Sequence, residues 1–243
     1  MRGGGCTFAL LAMTAMGCGF DTSGGSGTPG DPGEPGDPGT PGGPDASGTI
    51  GGDPGDPDAA AQVAQVVTPF GGSTTVGDLG GTGGSPFTAD CSDGRVITGL
   101  DAEDNDFGLC HLRAVCSRVT VDGDAIDVVD QAATQAFGNE GSFYDIDPVN
   151  CPNGSALVGF SGSESGNLVQ HLRLRCAPIQ VDGGTVSLGA VSEVPDDLGS
   201  SSPDGSGTGS CPAGQLAAGI AGRAGSILDR FELRCYQVSL APL

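Results

Sequence analysis

The chain has 243 residues, among them 46 Gly and 17 Pro with no Trp, and a formal net charge of −21 at pH 7. All 9 basic residues are Arg. A surface of this sign repels phosphate backbones and anionic headgroups, which excludes nucleic acid as a partner and leaves neutral ligands, cations and basic proteins.

The first segment, "MRGGGCTFALLAMTAMGC", has one positive charge, an apolar run from Thr7 to Met16 and small residues after it, the layout of a short secretory signal. It is too short to span a bilayer as a mature helix. Its end, "AMGC" at Ala15 to Cys18, resembles the lipobox of bacterial lipoproteins, which implies a signal over 1–17 and a lipidated N-terminus at Cys18. Ordinary cleavage near Ala15 is the alternative. Losing Arg2 with the leader takes the charge to −22. Lipid chains would anchor the protein to a membrane without spanning it.

Residues 18–58 follow, with Gly-X-Pro triplets in "GTPGDPGEPGDPGTPGGP" (Gly27 to Pro44) and again in "GDPGDP" (Gly52 to Pro57). The period is collagen-like, yet the run is short and broken at Asp45 to Gly51, so it reads as an extended, solvated, disordered stalk. A head over 59–243 completes the organisation.

The head is written in repeats. Cysteine-bracketed blocks begin at Cys91, Cys151 and Cys211, spaced by 60 residues, and end at Cys116, Cys176 and Cys235. Each has Gly as its fourth residue (Gly94, Gly154, Gly214) and another eight residues after the first Cys (Gly99, Gly159, Gly219). So regular a period implies one pseudo-threefold domain built of units that cannot bury their faces alone.

Within each block an apolar strand ("RVITGL", "ALVGF", "QLAAGI") leads through a glycine-rich loop into a second strand, such as "HLRLRCAPIQV". Leu172, Leu174 and Cys176 share one parity and His171, Arg173 and Arg175 the other, the alternation of a sheet with one buried face. Asp-Gly at Asp122–Gly123 and Asp182–Gly183 predicts two hairpins after the second Cys. The third block has no such arm, because the chain ends at "YQVSLAPL". "AQVAQVVTPF" at Ala61 to Phe70 matches the missing arm, so Ala61 to Val67 should pair with Cys235 to Leu240. The expected architecture is all-β: a β-prism of three antiparallel sheets of about four strands.

The motif Cys-Pro-x-Gly, an apolar strand ending in Gly, "GRAGSILD" and a strand ending in Cys resembles the jacalin-like and vitelline membrane outer layer protein I type of β-prism over about Ala61 to Leu243. The paired cysteines are like those of the vitelline type. The resemblance, with a secretory leader, implies disulfides Cys91–Cys116, Cys151–Cys176 and Cys211–Cys235. Cys110 is left over and shares parity with Leu112, so it reads as a buried thiol, with an intermolecular bridge as the alternative. No CxxC spacing points to zinc. The acidic run Asp101 to Asp106 reads as a solvated loop, since Leu112 stands where an EF-hand would need its bidentate Glu. His111 and His171 occupy equivalent positions, and are expected to face outward and pair with acidic neighbours.

In jacalin-like lectins a Gly, three residues and an Asp give main-chain amides and a carboxylate to sugar hydroxyls, beside an N-terminal Gly-Gly loop. The resemblance carries this site onto Gly225, Ser226, Ile227, Leu228 and Asp229 ("GSILD"), with Gly71 and Gly72 from "TPFGG" beside it. The second repeat reads "GNLVQ" and the first "DFGLC", so one site per head is expected. No nucleophile motif, paired carboxylates or metal set stands out. The expectation is a non-enzymatic, carbohydrate-binding protein without cofactor or metal. It would be anchored by its lipid in a bacterial envelope, facing periplasm or exterior, or else secreted, with a glycan or surface polysaccharide as partner. The alternative is a structural or adhesive envelope protein with no small-molecule site.

Overall fold

The computed structural model describes residues 64–243 except 106, 140–143, 146–147 and 201–204, with backbone alone at 144–145. The leader, Cys18 and the Gly/Pro stretch lie outside the described residues. Every regular element among the described residues is a strand. The chain opens with β1 (Gln65–Gly80) and β2 (Ser85–Asp90). There follow β3 (Val96–Asn105), β4 (Gly108–Asp122), β5 (Ala125–Ala133) and the short β6 (Phe137–Gly138), β7 (Tyr144–Asp145) and β8 (Val149–Asn150). The second block supplies β9 (Ser155–Ser165), β10 (Leu168–Asp182), β11 (Thr185–Leu188) and β12 (Ser192–Gly199), and the last supplies β13 (Gly205–Ser210), β14 (Gln215–Ala224) and β15 (Leu228–Pro242).

These strands form three antiparallel units, each centred on one hairpin. The β3–β4 hairpin is flanked by β7 and β8 on one side and by β5 and β6 on the other. The β9–β10 hairpin is flanked by β13 and by β11 with β12. The β14–β15 hairpin is flanked by β2 and β1. The two ends of the head therefore close the third unit, as the repeat arithmetic predicts, but the register is shifted from the expected Ala61 to Val67 against Cys235 to Leu240. Gln65↔Pro242 runs to Phe70↔Gln237, Cys235 faces Thr74 because β1 continues to Gly80, and residues 61–63 lie outside the described residues. Residues Gln65 to Val67 also pair with Val119 to Val121, so the first and third units are hydrogen-bonded to each other at that edge. Both Asp-Gly hairpins form. Asp122 pairs with Ala125 and Asp182 with Thr185 across two-residue loops, and Gly123, Gly183 and Gly184 take positive φ (59°, 55° and 80°).

One irregularity recurs in all three hairpins. Thr98, Val158 and Ala218 are skipped by the ladder, between the pairs Ile97↔Cys116 and Gly99↔Val115 and their equivalents. Such a bulge re-aims the strand. At that level the buried parity changes: Leu172, Leu174 and Cys176 are buried, and then Ala177 and Ile179. A single long strand thus feeds two cores. The larger lies among the three units, with Leu100, Leu112, Leu157, Leu174, Ile220 and Leu233 around Phe160 and Phe231, whose rings meet edge-on at 4.8 Å. The smaller gathers Val67, Val96, Val119, Ala156, Ile179 and Leu216 beyond the bulges.

The freed bulge carbonyls hold the end of the edge strand of their own unit. The amides of Cys91, Cys151 and Cys211 donate to Ala218, Thr98 and Val158 at 2.8, 2.7 and 2.8 Å. The disulfides Cys91–Cys116, Cys151–Cys176 and Cys211–Cys235 form. The first Cys of each pair follows an edge strand of one unit and the second lies in a central strand of the next, so the three bridges fasten the three corners of the prism.

Candidate functional site

The β14–β15 hairpin turns through Gly225 and Ser226, both exposed, and returns through half-buried Ile227 and buried Leu228. Leu228 therefore has its side chain in the core and can offer a ligand only its backbone. The Gly225 amide donates to the Asp229 Oδ2 at 3.1 Å, which folds the hairpin tip around that carboxylate. The Gly225 amide also reaches the Ile227 carbonyl, at 3.0 Å.

The structure places Gly71 and Gly72 elsewhere. They sit in β1 at a register shift between Phe70↔Gln237 and Thr74↔Cys235, whereas Asp229 lies beyond the Gly80↔Arg230 pair. Seven strand residues at about 3.3 Å each separate the two levels by about 23 Å. The loop beside Asp229 is instead the connection from β1 to β2, "GGTGG" at Gly80 to Gly84. Gly81 donates its amide to the Asp229 carbonyl at 2.6 Å. A Cβ on Gly83 or Gly84 would overlap the Asp229 carboxylate, so the carboxylate rests directly against side-chain-free backbone. Arg223 holds that loop through its Nε to the Gly83 carbonyl at 2.6 Å and its Nη2 to the Gly84 carbonyl at 2.8 Å. Gly80 donates to Glu164 Oε2 at 2.6 Å. Sequence reasoning missed this loop, for which the available signal is four glycines in five residues between two strands.

The tips of the other hairpins approach the same end of the prism. A Cβ on Gly81 would overlap Asn167, and one on Gly108 would stand 3.3 Å from Ile227 Cγ2. Gln170, at the position equivalent to Asp229, donates its side-chain amide to the Phe107 carbonyl. It is thereby committed to fastening two tips together. Cys110, at the equivalent position of the first repeat, is a buried free thiol with its Sγ 3.6 Å from the Glu103 carbonyl. Burial pushes that thiol up from its ordinary pKa. The three repeats thus put an acid, an amide and a thiol at one level, and only Asp229 keeps a carboxylate there.

The histidines differ from the outward placement that strand parity predicts. His111 and His171 are 7% and 9% exposed, because an acidic side chain stands over each ring. Glu103, paired across the ladder with His111, brings Oε1 to 3.2 Å of Nδ1. Asp197 brings Oδ2 to 3.2 Å of His171 Nε2, which has no hydrogen-bond partner of good geometry. Arg173 binds both Asp197 oxygens, at 2.5 and 2.7 Å, and holds that carboxyl below its ordinary range. The acidic run differs from the solvated loop expected of it: its first five residues end β3, where Asp101 pairs with Arg113 and Glu103 with His111, and Asp106 lies outside the described residues. Among the described residues no group of three or more potential metal ligands gathers.

No protein-family model matches the sequence, and no curated protein does. Among solved structures, the chain is similar to wild-type Malaysian banana lectin at 17% identity and a TM-score of 0.42, over 71% of this chain and 100% of that one. Calystegia sepium agglutinin is 14% identical with a TM-score of 0.44, covering 69% and 99%. A mannose-binding jacalin related lectin from Ananas comosus is 17% identical with a TM-score of 0.40, again over 69% and 99%.

Proposed function

We propose that this β-prism is a non-enzymatic, carbohydrate-binding head and that the Asp229 end of the molecule is its sugar site. One observation carries the reading. The Asp229 carboxylate is seated against the bare backbone of Gly83 and Gly84, next to an exposed hairpin tip, in a loop that Arg223 holds in place. A carboxylate accepts hydrogen bonds from two hydroxyls, and glycine backbone lets a flat, hydroxyl-rich ring approach without a side chain in the way. The site residues are Gly83, Gly84, Gly225, Ser226, Ile227 and Asp229, with Arg223 as the residue that positions the loop. The equivalent levels of the other repeats hold Cys110 and Gln170, which supports one sugar per head.

The lipobox-like end of the leader and the Gly-X-Pro run support presentation of this head from a lipid anchor at Cys18 on a bacterial envelope. The ligand would be a neutral or basic surface glycan, because the charge of −21 disfavours strongly anionic polymers.

A glycan array probed with the full chain identifies the sugar, and titration of that sugar against Asp229→Ala tests the site. Loss of one charge-assisted hydrogen bond is worth about 1.5–3 kcal/mol, a weakening of roughly 10- to 150-fold. An unaltered affinity in a correctly folded variant refutes the site. An array with no hit turns the assignment to a structural or adhesive role.

A further inference from the structure

We infer that the outer face of the second unit holds a binding site for a small ring-bearing carboxylate, built on Arg175 and distinct from the Asp229 end. The argument starts from the glycine that falls eight residues after the first Cys of each block. In every unit it is the middle of a row across three strands: Val115–Gly99–Asn150, Arg175–Gly159–Ser210 and Arg234–Gly219–Asp90. A Cβ on Gly99 would overlap the Asn150 side chain and one on Gly219 would overlap Asp90. The glycine therefore leaves a gap across which the outer side chains of the row can meet.

The third unit shows what fills this gap when the chain supplies the filling. Arg234 forms an ion pair with Asp90 through Oδ2. Tyr236 donates its hydroxyl to Asp90 Oδ1 at 2.9 Å, and the guanidinium lies 5.8 Å from the centre of the Tyr236 ring. The guanidinium is thus surrounded by a carboxylate and an aromatic ring, both from the protein.

The second unit keeps the arginine and lacks both companions. Ser210 stands where Asp90 stands, and Ala177 stands where Tyr236 stands, each counted from the cysteine beside it. Arg175 donates its Nη1 to the Ser210 hydroxyl at 2.9 Å. Among the described residues, the other seven arginines have a carboxylate or a backbone carbonyl as acceptor. In the space left by the two replacements lies a pocket of about 230 Å³, with Arg175 and Ser210 at its polar end and Val158, Ala177, Leu188 and Val191 in its wall. The volume is below that of a drug-sized site, which fits a single ring with a short acid. The first unit is an internal control. Its equivalent pocket is also about 230 Å³, with Thr98, Gln131, Asn150 and Asn153 in its lining, but Val115 replaces the arginine, so it has no charge for an anion.

Two acidic influences oppose the site. Glu193 pairs with Arg175 across the ladder, but its carboxylate turns to Ser161 Oγ at 3.4 Å and to Arg173 Nη1 at 3.9 Å. The negative field of the whole chain is screened over about 8 Å at physiological salt, so a guanidinium with an apolar wall selects a monocarboxylate over polyanions.

The test titrates benzoate, phenylacetate and the uncharged benzyl alcohol into the full chain, following backbone amide resonances. Saturable shifts at Val158, Ala177, Leu188 and Val191 with the two acids, at least tenfold weaker with benzyl alcohol, are expected. Arg175→Gln should weaken the acids at least tenfold. Ala177→Tyr, which copies the third unit, should remove binding by filling the pocket. Equal binding by benzyl alcohol, acid binding retained in Arg175→Gln, or no saturable shift in the parent chain would overturn the inference. So would binding that appears only in Glu193→Gln, because the chain's own glutamate would then be the resident anion. Arg175→Gln keeps the inference testable if Ala177→Tyr does not fold.

Discussion

Gly209→Ala is the most direct probe of how the prism is packed. Gly209 is a buried residue of β13 whose Cα faces Gly77 of β1, and the Phe160 ring lies between the two strands. A Cβ on Gly77 would stand 2.5 Å from Phe160 Cζ. On Gly209 it would overlap Cε1 while standing 3.1 Å from the Gly77 Cα, so it has an aromatic ring on one side and backbone on the other. Phe160 cannot retreat, since it is fully buried and set edge-on against Phe231. Gly77 has φ at +84°, so alanine there would add backbone strain, whereas Gly209 is outside that region and isolates the steric effect. Overpacking of this kind costs about 2–3 kcal/mol, which lowers Tm by about 4–12 °C in a domain of this size. Differential scanning calorimetry is the suitable assay, because a chain without Trp gives little fluorescence. Phe160→Leu should cost about 1–2 kcal/mol alone by opening space. In the double variant the two effects should fall short of their sum by about 1–2 kcal/mol, because the smaller side chain makes room for the new methyl. Strict additivity, or a Gly209→Ala protein as stable as the parent, would refute this packing.

Replacing Cys211 and Cys235 together by Ala should cost about 3.5 kcal/mol in the chain-entropy account of a loop this long, or about 7–14 °C in Tm; mass mapping of the parent should recover all three corner pairs. Asp197 has its carboxyl held below the ordinary value of 3.8, chiefly by the Arg173 hydrogen bonds. Its contribution to stability is complete above that value and is lost as pH falls below it, so Asp197→Asn should flatten the acid limb of the stability profile measured by denaturant titration. Cys18→Ala should abolish detergent-phase partitioning of the expressed protein, and equal partitioning of variant and parent would leave ordinary secretion.

The spacing of the cysteines and glycines was enough to determine the repeat count, the closure of the third unit by the two termini and the strand parity of the larger core. Each of these is a one-dimensional pattern. A period of 60 residues, an Asp-Gly turn and an alternating strand record local geometry directly in residue order. The GSILD tip was legible for the same reason, since its residues are contiguous. What stood next to it was not. Gly71–Gly72 and Gly80–Gly84 are both glycine clusters in one strand and its following turn, and only the register of β1 on β15 decides which of them reaches Asp229. The burial of His111 and His171 depended on acidic side chains standing over their rings, one of which, Asp197, belongs to a different hairpin arm. The bulges at Thr98, Val158 and Ala218 left no mark in composition, yet they re-aim each long strand from the larger core to the smaller one. The same holds for the Arg175 row: its meaning comes from comparing what crosses Gly159 with what crosses Gly219. Those neighbours are brought together by hydrogen bonding between strands far apart in the chain, a pairing energy that sequence order does not record.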